Sequence, residues 1–423
     1  MKKVFKVLFT LVASLFLALS LAACSKNEQP KSYSFAPVEE ANFKIGVICL
    51  HGEESTYDKN FIDAIKSIVK AKYGNDWENH LEIKTGVAES SACLDAANEL
   101  AKSCNVVFAD SFGHEDYMIQ AAAQNPTVRF CHATGTKAHT TNLANYSNAF
   151  ASIYEGRYMA GYAAGLKLNL MKQEAEANNQ TFTPKVGYIG AFPYAEVKSG
   201  YTSFFLGVRA AYEGTDAPTM VVRYTSSWYD YDAEYQAAKA LVEQDGCVLI
   251  SQHADSMGAP TLCKEKNVPN ITYNIETKDT CAATYVSYSR INWAPYFEYI
   301  MNCSMTGVRI DADWTGTLET GSVEYAITDK TEVWGSAANY ALVQAAMTVE
   351  YGKLVAGQQV FATDKFKVSG NVLTTYKADV NDWGDFQGET EVVLNGAFRE
   401  SKFRSAPYFD LLIDGITEVS DNK

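Results

Sequence analysis

From residue 43 onward, short apolar runs alternate with segments whose apolar positions recur every three or four residues. Residues 43–50 form a mostly apolar run of strand length, which predicts a buried strand. Residues 60–72 put Phe61, Ala64, Ile65 and Ile68 on one helical face. Strands follow at 81–87, 105–109 and 128–132, with helices at 93–103 and 117–124. Strand and helix in repeated alternation predict a parallel sheet covered by helices on both faces. A Gly/Ala-rich helix at 155–170 and a polar loop at 178–184 interrupt the series. The order then restarts, with strands at 185–190, 219–224, 247–252 and 271–274 and helices at 198–212, 233–244 and 261–266. Two similar halves predict two α/β lobes, residues 43–165 and 185–290, with a cleft between them. The rest is less regular. Helices are expected at 295–305 and 337–354, residues 291–359 are read as a crossover back to the first lobe, and 360–423 as a C-terminal extension with short β pieces such as 391–394.

The pattern before residue 43 is different. Lys2, Lys3 and Lys6 precede an apolar run from Val7 to Ala23 that ends in Leu21-Ala22-Ala23-Cys24. A basic start, an apolar middle and small residues before the cut are the layout of an export signal. A Cys directly after the small residues supplies the thiol that lipoprotein processing modifies. Residues 1–23 therefore read as a lipoprotein signal peptide and Cys24 as the lipidated residue. The apolar run is short for a retained span, which needs about 20 residues. Residues 24–42 have the polar composition of a tether.

Charge and cysteine usage narrow the function. The formal net charge is −14, and the signal segment contributes three Lys and no acid, so its removal leaves a more acidic protein. An acidic surface argues against nucleic acid as a partner. Eight Cys remain besides Cys24, none in C-x-x-C spacing, and several lie in strand-like runs, as in Val47-Ile48-Cys49-Leu50. Buried free thiols are the expectation for most of them. Scattered Cys and His offer no zinc site, so neither a metal nor a cofactor is expected.

Ligands of such sheets sit beyond the carboxyl ends of the strands. Five post-strand loops combine aromatic and hydrogen-bonding residues: Ser55-Thr56-Tyr57-Asp58-Lys59-Asn60-Phe61, Asp110-Ser111-Phe112-Gly113-His114, Ala191-Phe192-Pro193-Tyr194-Ala195-Glu196, Ser226-Ser227-Trp228-Tyr229-Asp230 and Gln252-His253-Ala254-Asp255-Ser256. Aromatic faces hold a flat ring, and carboxylates and amides read its edge or a sugar hydroxyl. Singly, each residue has a plainer use: Ser55 and Asp230 suit helix N-caps, and a lone aromatic after a strand usually covers the core. Repetition of one composition in five converging loops favours a binding cleft. Catalytic signatures are missing from the sequence. There is no G-x-S-x-G, H-E-x-x-H or P-loop. His253 is read as a hydrogen-bonded residue of the cleft wall. Gly161 and Gly165 lie within a helix, where they serve close packing.

Several segments resemble the basic membrane lipoprotein family. Phe43-Lys44-Ile45-Gly46-Val47 followed by Asp58-Lys59-Asn60-Phe61 is similar to the family's opening strand and loop. Tyr154-Glu155-Gly156-Arg157-Tyr158-Met159-Ala160-Gly161 resembles its first long helix, and Ser227-Trp228-Tyr229-Asp230 and Gln252-His253-Ala254-Asp255-Ser256 resemble loops of a purine-base-binding subgroup. The resemblance implies a two-lobed type I periplasmic-binding-protein fold. It also implies a substrate-binding lipoprotein that captures a purine nucleoside or purine base outside the cell and passes it to ABC permease subunits, without catalysis. By the same resemblance Phe61 and Phe112 stack on the purine, Trp228 forms an aromatic wall, Glu196 accepts hydrogen bonds from the ring, and Asp255 and Ser256 contact the base edge or a ribose. Tyr57, Ser111 and Glu276 complete the expected ligand set. Ile62, Tyr231 and the loose match at Asn274-Ile275-Glu276 depart from the family pattern. A ligand-sensing lipoprotein of a signalling system and a secreted purine nucleosidase are the rival readings.

Overall fold

The structure, a computed structural model, describes residues 35–380 and 388–419. The signal segment, Cys24 and the tether up to residue 34 lie outside the described residues. No helix among the described residues is long and apolar enough to cross a membrane.

The first half of the chain supplies β1 (Ile45–Ile48), α1 (Thr56–Tyr73), β2 (Leu81–Lys84), α2 (Ser91–Leu100), β3 (Val106–Ala109), α3 (Glu115–Gln124), β4 (Arg129–Ala133) and β5 (Tyr146–Ala151). A long helix, α4 (Ile153–Ala177), leads into the second series. This comprises β6 (Lys185–Gly190), α5 (Ala195–Ala211), β7 (Thr219–Tyr224), α6 (Tyr231–Glu243), β8 (Leu249–Gln252), α7 (Gly258–Lys266), β9 (Asn270–Tyr273), α8 (Lys278–Cys281) and β10 (Tyr285–Ile291). Then come α9 (Ala294–Thr306), β11 (Asp313–Gly316), β12 (Val323–Ile327) and α10 (Ala337–Val355). Short ladders β13 (Lys377–Ala378) with β14 (Thr390–Glu391) and β15 (Val393–Leu394) with β16 (Ala397–Phe398), and a last strand β17 (Ile416–Val419), complete it.

The strands build two sheets, β11-β5-β4-β3-β1-β2 and β12-β10-β9-β8-β6-β7-β17. Within them every pairing is parallel except β10 with β12. Each sheet reverses its strand order beside its first strand, β1 or β6, and the crevice at such a reversal is where α/β sheets take ligands. The two-lobe α/β expectation holds. β1 and β3 are buried along their whole length, as a sheet covered on both faces requires.

Some boundaries differ from the sequence reading. The 43–165 limit of the first lobe cuts through α4, which packs on the second sheet, against α5, β10 and β12. Glycine makes that contact close. A Cβ on Gly161 would overlap the carbonyl of Phe204, and one on Gly207 the carbonyl of Tyr158, so the backbones touch where these helices cross. Residues 291–359 return only in part to the first lobe. α9 packs on α1 and β11 extends the first sheet, but β12 joins the second and α10 packs on α4. Within residues 360–423, β17 pairs with β7 as the edge of the second sheet. β5, β10, β11, β12 and β17 were not expected from the sequence. The eight described Cys are free and buried, as expected for most of them, and four of them lie in helices, not strands.

Candidate functional site

At the carboxyl ends of the strands, loops from both sheets meet. Ser55 caps α1 by accepting the Asp58 N–H, and Asp230 caps α6 by accepting the Ala233 N–H, so both expected caps are made. Capping fixes how each loop turns into its helix, and so fixes the aromatics beside it. Three post-strand turns use left-handed backbone at non-glycine residues: Thr134 (φ 64°), Ser226 (φ 59°) and Asn274 (φ 70°). A buried β-branched residue in that region is strained, and such strain collects at functional sites.

The lobes touch across the cleft. Thr56 N–H donates to Asp255 O at 3.0 Å, and Thr56 Oγ1 donates to Asp255 Oδ1 at 3.3 Å. Asn274 Nδ2 donates to the same Oδ1 at 3.1 Å. Between the loops lies a cavity of about 400 Å³, its solvent-open mouth included. Leu50, His51, Tyr57, Asp58, Ser111, Phe112 and Thr134 line it from the first lobe. Glu196, Trp228, His253, Asp255 and Tyr273 line it from the second. At the mouth, Phe112 faces Tyr194 with ring centroids 5.7 Å apart, and Trp228 packs edge-on against Phe192 at 5.3 Å.

Six of the nine expected ligand residues therefore line one cavity: Tyr57, Ser111, Phe112, Glu196, Trp228 and Asp255. Three do not. Phe61 is fully buried in the first lobe, stacked on Trp293 at 4.3 Å, and Tyr57 stands between it and the cleft. It sits one helical turn too deep to meet a ligand. Ser256 is buried, and its N–H is taken by the Glu234 carboxylate at 3.0 Å while its Oγ accepts the Gly258 N–H, so it shapes the start of α7. Glu276 is exposed and paired with Lys278. Asp58 lines the cavity from the first of the quoted loops, whereas Leu50, His51, Thr134 and Tyr273 line it without having been singled out. Their positions directly after or at the ends of β1, β4 and β9 were the available signal.

Electrostatically the site is an acceptor-rich wall. Asp58, Glu196 and Asp255 line it, Asp110 stands behind them, and no Lys or Arg among the described lining residues offsets them. Asp255 is held well above the ordinary carboxyl range, first by burial and then by the charges of Glu234, Asp58 and Glu196. Burial, and then the neighbouring Asp58 charge, also push Asp110 well up. Asp58 goes the other way. Burial opposes its charge, but bonds from the His51 side chain, Ser55 and the His51 N–H outweigh burial and hold it below its usual value. Cys49, Asp58 and Asp110 place donor atoms within 4.8 Å of one another, near enough for a metal ion. The Cys49 thiol is driven far up by burial, and the Asp110 carboxyl is raised as well. Cys49 and Asp110 therefore favour their protonated forms beside a carboxylate, Asp58, that favours its charge. His253 is hydrogen-bonded in the wall, as its loop suggested, with Nδ1 3.1 Å from Tyr188 Oη and Nε2 3.4 Å from Glu196 Oε1.

Comparison with known proteins gives this geometry a family. Residues 49–323 match the model of the PnrA-like ABC transporter substrate-binding proteins. A purine-binding protein of Brucella abortus is 31% identical over 212 residues, covering 50% of this chain and 55% of that protein. A Haloferax volcanii protein, provisionally named an ABC transporter glucose-binding protein, is 30% identical over 218 residues, covering 51% and 50%. The chain thus spans about half the length of the curated relatives it matches. Among solved structures, a solute-binding protein of an Aeropyrum pernix ABC transporter system superposes with a TM-score of 0.58 at 11% identity, covering 78% of this chain and 94% of that one. One from Conexibacter woesei gives 0.54 at 16% identity, covering 74% and 97%. At such identities the superpositions speak for the fold alone, the two-lobed type I periplasmic-binding-protein fold. With the family match across both lobes, this chain belongs to the PnrA-like family of ABC transporter substrate-binding proteins.

Proposed function

We propose that this protein captures a purine nucleoside or purine base in the interlobe cavity and delivers it to the permease subunits of an ABC importer. One observation carries the reading: the cavity joins aromatic side chains from both lobes to an acceptor-rich edge without a lining Lys or Arg. Tyr57, Phe112, Trp228 and Tyr273 bring aromatic rings, and Asp58 and Glu196 bring carboxylates that accept hydrogen bonds. A flat heterocycle with N–H donors, or a nucleoside with hydroxyl donors, matches that wall. A nucleotide does not, since its phosphate would meet carboxylates with no Lys or Arg to pair with. The name of the Brucella relative supports the same ligand class. A stacked aromatic contributes about 0.5–1.5 kcal/mol beyond its area burial. A charged hydrogen bond adds about 1.5–3 kcal/mol. Two rings and one such bond sum to about 2.5–6 kcal/mol, and burial of the ligand's apolar surface must supply the remainder of the ~8 kcal/mol that micromolar affinity requires.

Ligand binding acts on the two lobes together, because both contribute wall residues, and closure of this kind presents a changed surface to a membrane partner. The family works outside the cytoplasm, and anchoring through lipidated Cys24 would hold the receptor near its permease. Catalysis plays no part in this reading. Calorimetric titration with adenosine, guanosine, inosine, adenine, xanthine and glucose tests it. Heat of binding with a purine and none with glucose is expected. Glucose binding without purine binding refutes the ligand assignment, and release of free base from inosine refutes the transport role. Mass spectrometry of the membrane-bound protein, with a Cys24→Ser variant found in the soluble fraction, tests the anchor.

A further inference from the structure

Arg157 is fully buried in α4, yet its hydrogen-bond partners include no carboxylate among the described residues. A buried charge is costly unless something compensates it. Here neutral oxygens and rings do so. Nη1 donates to Thr272 O and Ser289 Oγ, and Nη2 donates to Ser251 Oγ at 2.8 Å, Tyr188 Oη at 2.9 Å and Gln252 O at 3.4 Å. The faces of Tyr188, Phe204 and Tyr273 surround the guanidinium at 5.3–5.4 Å. Core packing alone does not require a cation there, and Tyr188 leads from it to the cleft.

Guanidinium groups only donate. Tyr188 Oη accepts from Arg157, so its own proton must go to an acceptor, and His253 Nδ1 lies 3.1 Å away. If Nδ1 accepts, the imidazole proton sits on Nε2. That nitrogen points at Glu196 Oε1 across 3.4 Å, in the cavity wall. Both ends of the ring demand the same tautomer. Burial lowers the affinity of His253 for a second proton, and Glu196 only opposes this. Room for the ring comes from α5, where a Cβ on Gly200 would stand 2.8 Å from His253 Nδ1.

We propose that Arg157 and Tyr188 are positioning residues that fix His253 as the Nε2–H tautomer, so that the wall presents a fixed N–H donor beside the Glu196 carboxylate. The Nε2–Glu196 contact is long for a charge-assisted bond, which leaves that N–H free to be shared with an acceptor atom of the ligand. The site then selects a molecule carrying both donors and an acceptor on one edge, as purines do. The link to a purine rests on the proposed function, whereas the tautomer does not.

The test uses protein labelled with 15N-histidine and long-range 1H–15N correlation at about pH 8, with the His253 signals identified by their loss in His253→Gln. Wild-type protein is expected to show a protonated Nε2 and a bare Nδ1 without any ligand. Tyr188→Phe keeps the other four Arg157 bonds and should shift His253 toward the Nδ1–H form or a mixture. The same variant should bind adenine or adenosine about fivefold more weakly, the loss of one hydrogen bond, with a cooperative melt only a few degrees below that of the wild type. An Nδ1–H tautomer in the wild type, or an unchanged pattern in Tyr188→Phe, overturns the proposal. If no purine binds the wild type, the ligand reading fails while the tautomer result stands by itself.

Discussion

Replacing Phe112 and Phe61 separately tells apart two aromatics that the sequence placed together on the ligand. Phe112 is 43% exposed in the mouth of the cleft. A Phe offers about 200 Å² of side-chain surface, so about 85 Å² remains for a ligand to cover. Covering half to all of it at about 25 cal/mol per Å² contributes about 1–2 kcal/mol. Ring stacking adds about 0.5–1.5 kcal/mol. Phe112→Ala should therefore weaken purine binding by at least about tenfold, near 1.4 kcal/mol, with little change in stability. Phe61 has no exposed surface and stacks on Trp293 at 4.3 Å, with Phe108 5.5 Å away. Phe61→Leu should cost about 1–2 kcal/mol of stability and change affinity by no more than about threefold, through the Tyr57 ring that leans on it. Calorimetric titration and thermal melting of both variants give the four numbers needed. A Phe61→Leu protein of normal stability with tenfold weaker binding would refute the assignment, as would Phe112→Ala binding like wild type.

Trp228→Ala should also weaken purine binding at least about tenfold while leaving the melting temperature near the wild-type value, since Trp228 is only partly buried at the cavity wall. Gly161→Ala should destabilise the second lobe by about 1–3 kcal/mol in a urea titration, because the added methyl overlaps a backbone carbonyl and no side chain can move to relieve it. Buried Glu400 titrates at about 7, raised by burial against bonds from Ser199 and the Tyr408 N–H. Glu234 is raised to about 7 by burial as well. In both cases the folded protein holds its proton more tightly than the unfolded chain, so each contribution is intact below about pH 4.5 and is lost as pH rises through 7. Each is worth roughly 3 kcal/mol at most. Melting curves from pH 5 to 8 should fall in stability, and Glu400→Gln should make that slope measurably shallower. An unchanged slope would sink the assignment to Glu400.

The sequence revealed much of the fold because β1, β3, β6 and β8 are strands buried on both faces, which must be written in apolar residues. It hid β5 and β10 for the opposite reason. Ser147, Asn148, Ser287 and Ser289 are buried within them, and Asn148 hydrogen-bonds Glu115 and Tyr146, so these strands break the apolar run that marks the others. β11, β12 and β17 are edge or near-edge strands with mixed burial, and their pairing is long-range. In the site, post-strand position combined with aromatic or acidic character found Tyr57, Phe112, Glu196, Trp228 and Asp255. It could not fix depth. Phe61 lies four residues beyond Tyr57, one turn further into α1, and that turn separates cleft from core. Nor could it show that Asp58 and Asp110 approach each other, because they are brought together only by the pairing of β1 with β3.

The last strand bears on the order in which the molecule forms. β17 pairs with β7 across nearly two hundred residues of chain, from Ile416 opposite Met220 to Val419 opposite Arg223. Tyr201 and Tyr224 both donate to the Glu418 carboxylate to hold it there. Contacts this distant in sequence carry a large loop-closure cost and form late. Until the C-terminal residues arrive, the second sheet therefore has β7 as an open edge, the kind of surface on which chains pair with one another. The speed with which four residues dock therefore sets how much of the newly made protein escapes aggregation.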